Sequence, residues 1–177
     1  MKNVSDQQVA DHLKRLNPWW ASAEMDKGTL ELRPRAYLVP VRELLKDPGL
    51  RRAVVLLGPR RVGKTILIRH LIADLLASDV AAQRIAYVEM DHPLLHGQSL
   101  DALVQQIETA TPYGEGPRYL FFDEIQSHKD WEKHLKPLVD HRPDLRILVS
   151  GSAAAALKRQ STESGAGRFT DFLLPPL

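Results

Sequence analysis

The sequence predicts an α/β fold, in which a central parallel sheet carries helices on both of its faces in three layers. Short apolar runs typical of buried strands alternate along the chain with longer amphipathic segments typical of helices. The clearest run, Ala53 to Leu57, is apolar throughout, as expected for a strand covered on both faces. It leads into a Gly-rich turn, and a helical pattern begins at Lys64. A strand, a turn and a helix in that order predict one βαβ unit of a parallel sheet.

The composition is that of an ordinary globular domain. The chain has 177 residues, of which 44% are hydrophobic and 26% charged. Its 24 basic and 22 acidic side chains leave a net charge of +2, which does not by itself call for a polyanionic partner. The absence of cysteine excludes disulfides and thiolate metal sites. No apolar run approaches the ~20 residues that cross a bilayer, and the start is not a signal peptide. We therefore expect a cytoplasmic protein with no membrane partner.

Two parts are predicted along the chain. Residues 1–49 form an N-terminal helix and a connecting arm, and residues 50–177 form the α/β core. The helix runs from Ser5 to Leu16, because Ser5 and Gln8 make a capping box and the apolar residues that follow share one face.

The connecting arm begins with two adjacent tryptophans. We interpret Trp19 and Trp20 as anchors that dock the arm onto the core, with stacking on a base as the alternative. Residues 21–35 are polar and contain Gly28 and Pro34, which predicts an irregular connection.

The core is predicted to contain four strands besides the first and at least three long helices. The further strands are Arg84 to Met90, Arg118 to Glu124, Arg146 to Val149 and Phe169 to Leu174. Helices are predicted from Lys64, after the cap Ser99, from about Asp130, and over Ala153 to Arg159.

The turn after the first strand has the spacing of a phosphate-binding loop. Gly58, Gly63, Lys64 and Thr65 match the pattern G-x-x-x-x-G-K-[ST] at all of its fixed positions. Backbone N–H groups must turn inward around an anion there, which requires glycine's access to positive φ. The lysine then reaches the β- and γ-phosphates, the threonine hydroxyl holds Mg²⁺, and the helix N-terminus faces the phosphates. The predicted nucleotide-binding residues are Gly58, Pro59, Arg60, Arg61, Val62, Gly63, Lys64, Thr65 and Ile66.

A pair of carboxylates ends the third predicted strand. Asp123 is in the place expected for the acidic residue that orders the Mg²⁺ ligands, so Thr65 and Asp123 are the candidate metal ligands. Glu124 follows directly and is the candidate base that polarises the attacking water, which favours hydrolysis over transfer to an acceptor.

Three more polar residues are candidates for the catalytic site. Ser150 and Ser152 follow the fourth strand, and either could contact the γ-phosphate or the water; the alternative is a Ser-Gly-Ser turn that caps the next helix. Arg168 follows the Gly165–Gly167 stretch, and we place it on a loop near the carboxyl edge of the sheet. There it could act as an arginine finger, in its own chain or on a neighbouring subunit.

Together these residues resemble the AAA-type ATPases of prokaryotes that pair a P-loop domain with a C-terminal domain of unknown function, often nuclease-like. The resemblance covers roughly residues 50–174, and the N-terminal Asn-Pro-Trp-Trp is similar as well. It rests on Gly58 to Thr65, Phe121 to Gln126, Ser150 to Ser152 and Gly167 to Phe169.

The resemblance implies a P-loop NTPase fold of the additional-strand class, with strand order 5-1-4-3-2, and Mg²⁺-dependent hydrolysis of ATP. It assigns phosphate and metal binding to Lys64 and Thr65, metal support to Asp123, and the base to Glu124. Ser150 or Ser152 is then the sensor and Arg168 the arginine of the family pattern. The chain ends just after the fifth predicted strand, so we expect a fragment or a minimal version that lacks the lid and the C-terminal domain and turns over slowly.

Other functions are compatible with parts of the sequence. GTP is disfavoured because the base-reading asparagine motif is missing, and both asparagines, Asn3 and Asn17, precede the loop. A small-molecule kinase would not need the second carboxylate, and a nucleotide-gated binding module would hydrolyse rarely. A homo-oligomer is possible, while a protein or nucleic-acid partner has no direct support. The basic pairs 51–52 and 60–61 are interpreted as a phosphate field or a subunit interface.

Overall fold

A five-stranded parallel sheet forms the centre of the molecule in the computed structural model, which describes residues 4–25, 27–49, 51–152 and 167–175. The strands are β1 (Ala53–Gly58), β2 (Ile85–Glu89), β3 (Arg118–Asp123), β4 (Leu145–Ser152) and β5 (Phe169–Leu173). Their order across the sheet is β2-β3-β4-β1-β5, and each neighbouring pair is parallel. This confirms the predicted α/β class and the strand order.

Helices cover both faces of this sheet. They are α1 (Asp6–Leu16), α2 (Trp19–Ser22), α3 (Lys27–Glu31), α4 (Leu38–Lys46), α5 (Lys64–Ala77), α6 (Leu100–Ala110) and α7 (Trp131–His141). Short 3₁₀ turns span Ala82–Arg84, Pro93–Leu95 and Ile125–Ser127. None of the helices described is long and apolar enough to cross a membrane.

Alternate residues of β1 enter two separate hydrophobic cores. Val55 and Leu57 pack with residues of α1, α6 and α7, whereas Val54 and Leu56 pack with residues of α4 and α5. This alternation follows from the two-residue period of a strand, and burial of both sets explains why β1 is apolar throughout. The three layers are therefore those that the sequence predicts.

The fourth strand is longer than predicted. Ser150, Gly151 and Ser152 continue β4 and pair in parallel with Leu56, Leu57 and Gly58 of β1, so they are not a turn that caps a helix. Small polar residues carry a turn signal, but pairing with a central strand overrides it. The third strand, in contrast, ends at Asp123, one residue before its predicted end.

Residues 21–35 contain more helix than their polar composition predicts. The end of α2 and all of α3 lie in this stretch. Thr29 of α3 is buried, and its carbonyl lies 3.0 Å from Nε2 of His70 on α5. Contact with α5 therefore fixes a segment that local sequence alone would leave irregular. The helix predicted over 153–159 lies outside the described residues.

The N-terminal arm, which comprises the residues between α1 and β1, covers the edge of β2. The side chain of Asn17 donates to the carbonyl of Tyr87 (3.0 Å) and accepts from its N–H (2.6 Å). Both indole N–H groups, of Trp19 and Trp20, donate to the carbonyl of Ile85 at 2.9 and 2.7 Å. These contacts confirm that the tryptophans anchor the arm, and they satisfy backbone groups that an edge strand would otherwise leave open to pairing with another chain.

We expect Asn17→Ala to lower the free energy of unfolding by about 2 to 4 kcal/mol, because two main-chain groups of Tyr87 lose their partner. Urea denaturation followed by circular dichroism measures this change. Gln105→Ala on the exposed face of α6 is the control and should change stability by less than about 0.5 kcal/mol. Equal stability of the two variants would contradict a structural role for the Asn17 side chain.

Candidate nucleotide site

The loop between β1 and α5 lies at the carboxyl edge of the sheet. Two of its residues have positive φ, Arg61 at 64° and Gly63 at 85°. Such left-handed conformations let successive N–H groups converge on an anion. Gly58 is required for a different reason, since a Cβ there would lie 2.9 Å from the carbonyl oxygen of Leu174. The conformation of the loop is therefore that of an anion-binding turn.

Lys64 places a buried positive charge in this loop. Its side chain is 5% exposed, and its Nζ donates to the carbonyls of Gly58 (3.1 Å) and Pro59 (3.0 Å). Both of these acceptors are neutral, so they do not cancel the charge of the ammonium. A buried cation that only dipoles solvate is well suited to bind an anion.

The hydroxyl of Thr65 meets the carboxylate of Asp123 across the site. Thr65 Oγ1 donates to Asp123 Oδ2 at 2.6 Å, although the two residues belong to α5 and β3. A hydroxyl and a carboxylate are hard oxygen ligands, and two adjacent ligands of one octahedral Mg²⁺ lie about 2.9 Å apart. The residues present thus fit the metal that the sequence predicts.

Asp123 is held by two further hydroxyl groups. Ser150 Oγ donates to Oδ1, and Tyr87 OH donates to Oδ2 at 3.0 Å. The same Ser150 oxygen accepts the backbone N–H of Glu124 at 3.0 Å. Ser150 is completely buried, whereas Ser152 is half-buried and its N–H donates to Gln126 Oε1 at 3.3 Å. Of the two serines, Ser150 is the one in contact with both carboxylate residues.

Glu124 leaves the strand in a left-handed conformation, with φ 55° and ψ 44°. This conformation costs a residue with a side chain roughly 1 kcal/mol or more. Its half-buried carboxylate accepts a hydrogen bond from Gln126 Nε2. Since Gln126 also accepts from the end of β4, it ties Glu124 to the strand that carries the two serines.

The remaining residues of the predicted loop differ in exposure. Pro59, Arg60 and Arg61 are exposed, Val62 is buried in the core beneath the loop, and Ile66 is half-buried in the first turn of α5. The basic pair 60–61 therefore lies beside the site. Arg51 and Arg52, in contrast, precede β1 at the opposite edge of the sheet, so their interpretation as part of the phosphate field is wrong.

Arg168 also lies at the amino edge rather than the carboxyl edge. Its carbonyl accepts from the N–H of Ala53, the first residue of β1, at 2.9 Å. Its guanidinium donates to both oxygens of Asp140 on α7 at 2.8 Å. The length of β1, roughly 20 Å, separates it from the loop of its own chain. The predicted position near the site is wrong, because Arg168 directly precedes β5, and the start of a parallel strand lies at the amino edge of the sheet.

Two residues at the site were missed by the sequence interpretation. Tyr87 lies on β2, whose position beside β3 puts the tyrosine next to Asp123; an aromatic residue near the end of a neighbouring strand was the available signal. Arg35 donates to the carbonyl of Val62, and no local pattern indicates that a residue of the arm reaches the loop.

This geometry defines a class of protein. A phosphate-type loop on β1, a buried lysine, and a Thr65–Asp123 pair beside it form a P-loop module of the nucleotide-binding, ATPase-like kind. The profile of a family described as "AAA domain" matches residues 50–177. The chain belongs to that family.

One relative shows how much of a longer protein this chain matches. "Uncharacterized protein MJ1544" of Methanocaldococcus jannaschii is 30% identical over 114 residues, which is 64% of this chain and 24% of that protein. The chain thus spans about a quarter of that relative's length.

Solved structures show the same fold at low identity. The C. elegans PCH-2 structure matches 89% of this chain and 45% of its own, with TM-score 0.50 and 16% identity. Hsp104 from the S. cerevisiae Hsp104:casein complex matches 90% of this chain and 29% of its own, with TM-score 0.57 and 13% identity. At these identities the likeness concerns the fold.

Burial, together with the nearby carboxylates of Asp123 and Glu89, raises the pKa of the Tyr87 hydroxyl above its ordinary value. In the unfolded chain the same group ionises near pH ~10. Above that pH the unfolded state therefore binds fewer protons than the folded state, and stability falls as pH rises.

We expect the free energy of unfolding to decline above pH ~10, with Tyr87 contributing up to about 1.4 kcal/mol per pH unit. Urea denaturation of the wild type and Tyr87→Phe at pH values from 8 to about 11.5 measures this slope. The variant should lose the tyrosine's share of the decline. Parallel stability curves for the two proteins over this range would contradict the assignment.

Proposed function

We propose that the chain binds Mg²⁺-ATP and hydrolyses it, as the motor or switch part of a larger AAA-type ATPase. The observation that carries this proposal is the 2.6 Å contact between Thr65 and Asp123. It supports the proposal because the loop that holds phosphates and the strand that carries the acidic pair meet at one point. The protein's membership in the AAA domain family is consistent with ATP as the nucleotide.

Each part of the site has a role in this reaction. The N–H groups of the loop and Lys64 hold the phosphates, while Thr65 and Asp123 hold the metal ion. When bound, Mg²⁺ would neutralise charge on the β- and γ-phosphate oxygens.

Glu124 is the proposed base. It is partly accessible, it directly follows the metal-binding aspartate, and its orientation is set by Gln126. A water oxygen attacks the γ-phosphorus as the bond to the β–γ bridging oxygen breaks, and a water proton passes to the carboxylate. The products are ADP and inorganic phosphate.

Ser150 is proposed to fix the positions of Asp123 and Glu124 relative to each other. Its hydroxyl donates to Asp123 and accepts from the backbone of Glu124, so a displacement of either residue changes the hydrogen bond to the other. Ser152, one pleat further along β4, is the second candidate for contact with the γ-phosphate. Both serines thus remain proposed sensors, with different partners.

Arg168 is proposed to act only on the site of a neighbouring copy. Its place at the amino edge and its pairing with Asp140 leave no route to its own loop, whereas a ring or other homo-oligomer would bring it to another. We propose that the binding site for the molecule on which the motor acts, a protein or a nucleic acid, lies in a part of the longer protein that corresponds to the region of MJ1544 not matched by this chain.

Lys64→Ala should weaken ATP binding by at least about 100-fold, because it removes the buried cation that faces the phosphates. Titration with a fluorescent ATP analogue in the presence of Mg²⁺ measures the dissociation constant. Lys129→Ala, an exposed lysine after β3, is the matched control and should bind as the wild type does. Wild-type affinity in Lys64→Ala would overturn the nucleotide site itself.

Glu124→Gln should retain ATP binding but lower the hydrolysis rate by at least about 100-fold, since the amide cannot accept the water proton. Phosphate release under single-turnover conditions, alongside the same titration, separates these two effects. Glu115→Gln in the exposed loop before β3 controls for the loss of a carboxylate. Unchanged turnover in Glu124→Gln would contradict the role of Glu124 as the base. If the wild type itself hydrolyses ATP as slowly as the variant, a nucleotide-gated binding module is favoured.

A further inference from the structure

Arg35 turns inward from an exposed stretch of the arm. Residues 31–34 and Ala36 are exposed, whereas Arg35 is half-buried and donates through Nη2 to the carbonyl of Val62. It lies outside the part of the chain that matches the family profile, residues 50–177. An arginine of the N-terminal segment is thus bonded to the phosphate-type loop.

The arm is fixed to α5 on both sides of this arginine. Before it, the Thr29 carbonyl lies 3.0 Å from His70 Nε2. After it, Arg42 Nη1 donates to Asp74 Oδ1 at 3.0 Å. Because both anchors are on the helix that the loop leads into, Arg35 is held at a defined position over the loop.

The hydrogen bond fixes the direction of one peptide group. In a trans peptide the C=O and the following N–H point in opposite directions. Since the Val62 carbonyl is directed at Arg35, the N–H of Gly63 points away from the guanidinium. That N–H is among those that a loop of this pattern directs at phosphate.

The contact with Arg35 requires a glycine at position 63, as does the positive φ there. A Cβ at this position would lie 2.7 Å from Arg35 Nη2 and 3.3 Å from its Nε and Cζ. The guanidinium therefore covers the face of Gly63 that a side chain would occupy. A glycine here serves two demands, the left-handed backbone and the close approach of the arginine.

We propose that Arg35 is a positioning residue that orients the Val62–Gly63 peptide for phosphate binding and thereby couples the N-terminal arm to the nucleotide site. The inference rests on the proposed function for its ligand, a nucleoside di- or triphosphate. Its acceptor is a neutral carbonyl, so the guanidinium also adds positive charge beside the anion site.

Two substitutions separate the hydrogen bond from simple packing. Arg35→Met keeps the apolar stem and removes the donors, whereas Arg35→Lys keeps the charge and one donor of similar reach. Arg33→Met is the matched control, because Arg33 is exposed on the same stretch. Urea denaturation of each variant shows that the comparison is made on folded protein.

The first measurement needs no nucleotide. Hydrogen–deuterium exchange of the peptide spanning residues 58–66 should be about tenfold faster in Arg35→Met, intermediate in Arg35→Lys and unchanged in Arg33→Met. Unchanged exchange in Arg35→Met would overturn the proposal, because the arginine would then not hold the loop.

The second measurement uses ATP and ADP separately. Arg35→Met should weaken both by about tenfold, because the backbone cradle contacts phosphates that they share, and it should raise KM with kcat within about twofold. Arg35→Lys should recover part of the affinity. Wild-type affinity in Arg35→Met overturns the coupling to the nucleotide site. If the wild type binds neither nucleotide, the proposed function fails instead, and the exchange data still decide whether Arg35 holds the loop.

Discussion

The contact between Thr65 and Asp123 depends on the order of strands more than on any local feature. β1 and β3 are not neighbours in the sheet; β4 lies between them and supplies Ser150, which donates to the same carboxylate. Because all three strands are parallel, their carboxyl ends meet at one edge, and three side chains far apart in sequence reach one point. A different strand order would leave the loop intact but remove its acidic partner. The site is therefore a property of the topology.

The N-terminal arm contributes to this edge from outside the core. Asn17 pairs with the backbone of Tyr87, and the hydroxyl of Tyr87 reaches Asp123. Arg35 contacts the loop on the other side of the sheet's centre. The arm thus closes the open edge of β2 and touches both halves of the candidate site. The same contacts stabilise the sheet and position residues of the site. We therefore expect a substitution in the arm to alter the conformation of the phosphate-type loop.

Local pattern predicted most of the fold and the site residues that stand in the loop or at predicted strand ends, but not the contacts that come from pairing between distant segments. Apolar runs such as Ala53 to Leu57 identify buried strands because burial on both faces leaves no polar alternation. The loop from Gly58 to Thr65 was found because its residues are consecutive. The continuation of β4 through Ser150 to Ser152 was not predicted, because their extended form comes from pairing with β1, which is distant in sequence. Tyr87 was missed for the same reason, since its neighbour in space comes from another strand.

A basic side chain affects a bound phosphate differently at the two edges of a parallel sheet. Lys64 and the pair 60–61 lie at the carboxyl edge, where loop N–H groups and the start of α5 already favour an anion. Arg168 and the pair 51–52 lie at the amino edge, a strand length away, where solvent and salt screen their effect on a bound phosphate. An arginine at that edge therefore acts on a nucleotide only when another molecule brings a site to it. The sign of a charge was readable from the sequence, and so was its edge, because the predicted strands begin directly after Arg52 and Arg168 and parallel strands all begin at the same edge.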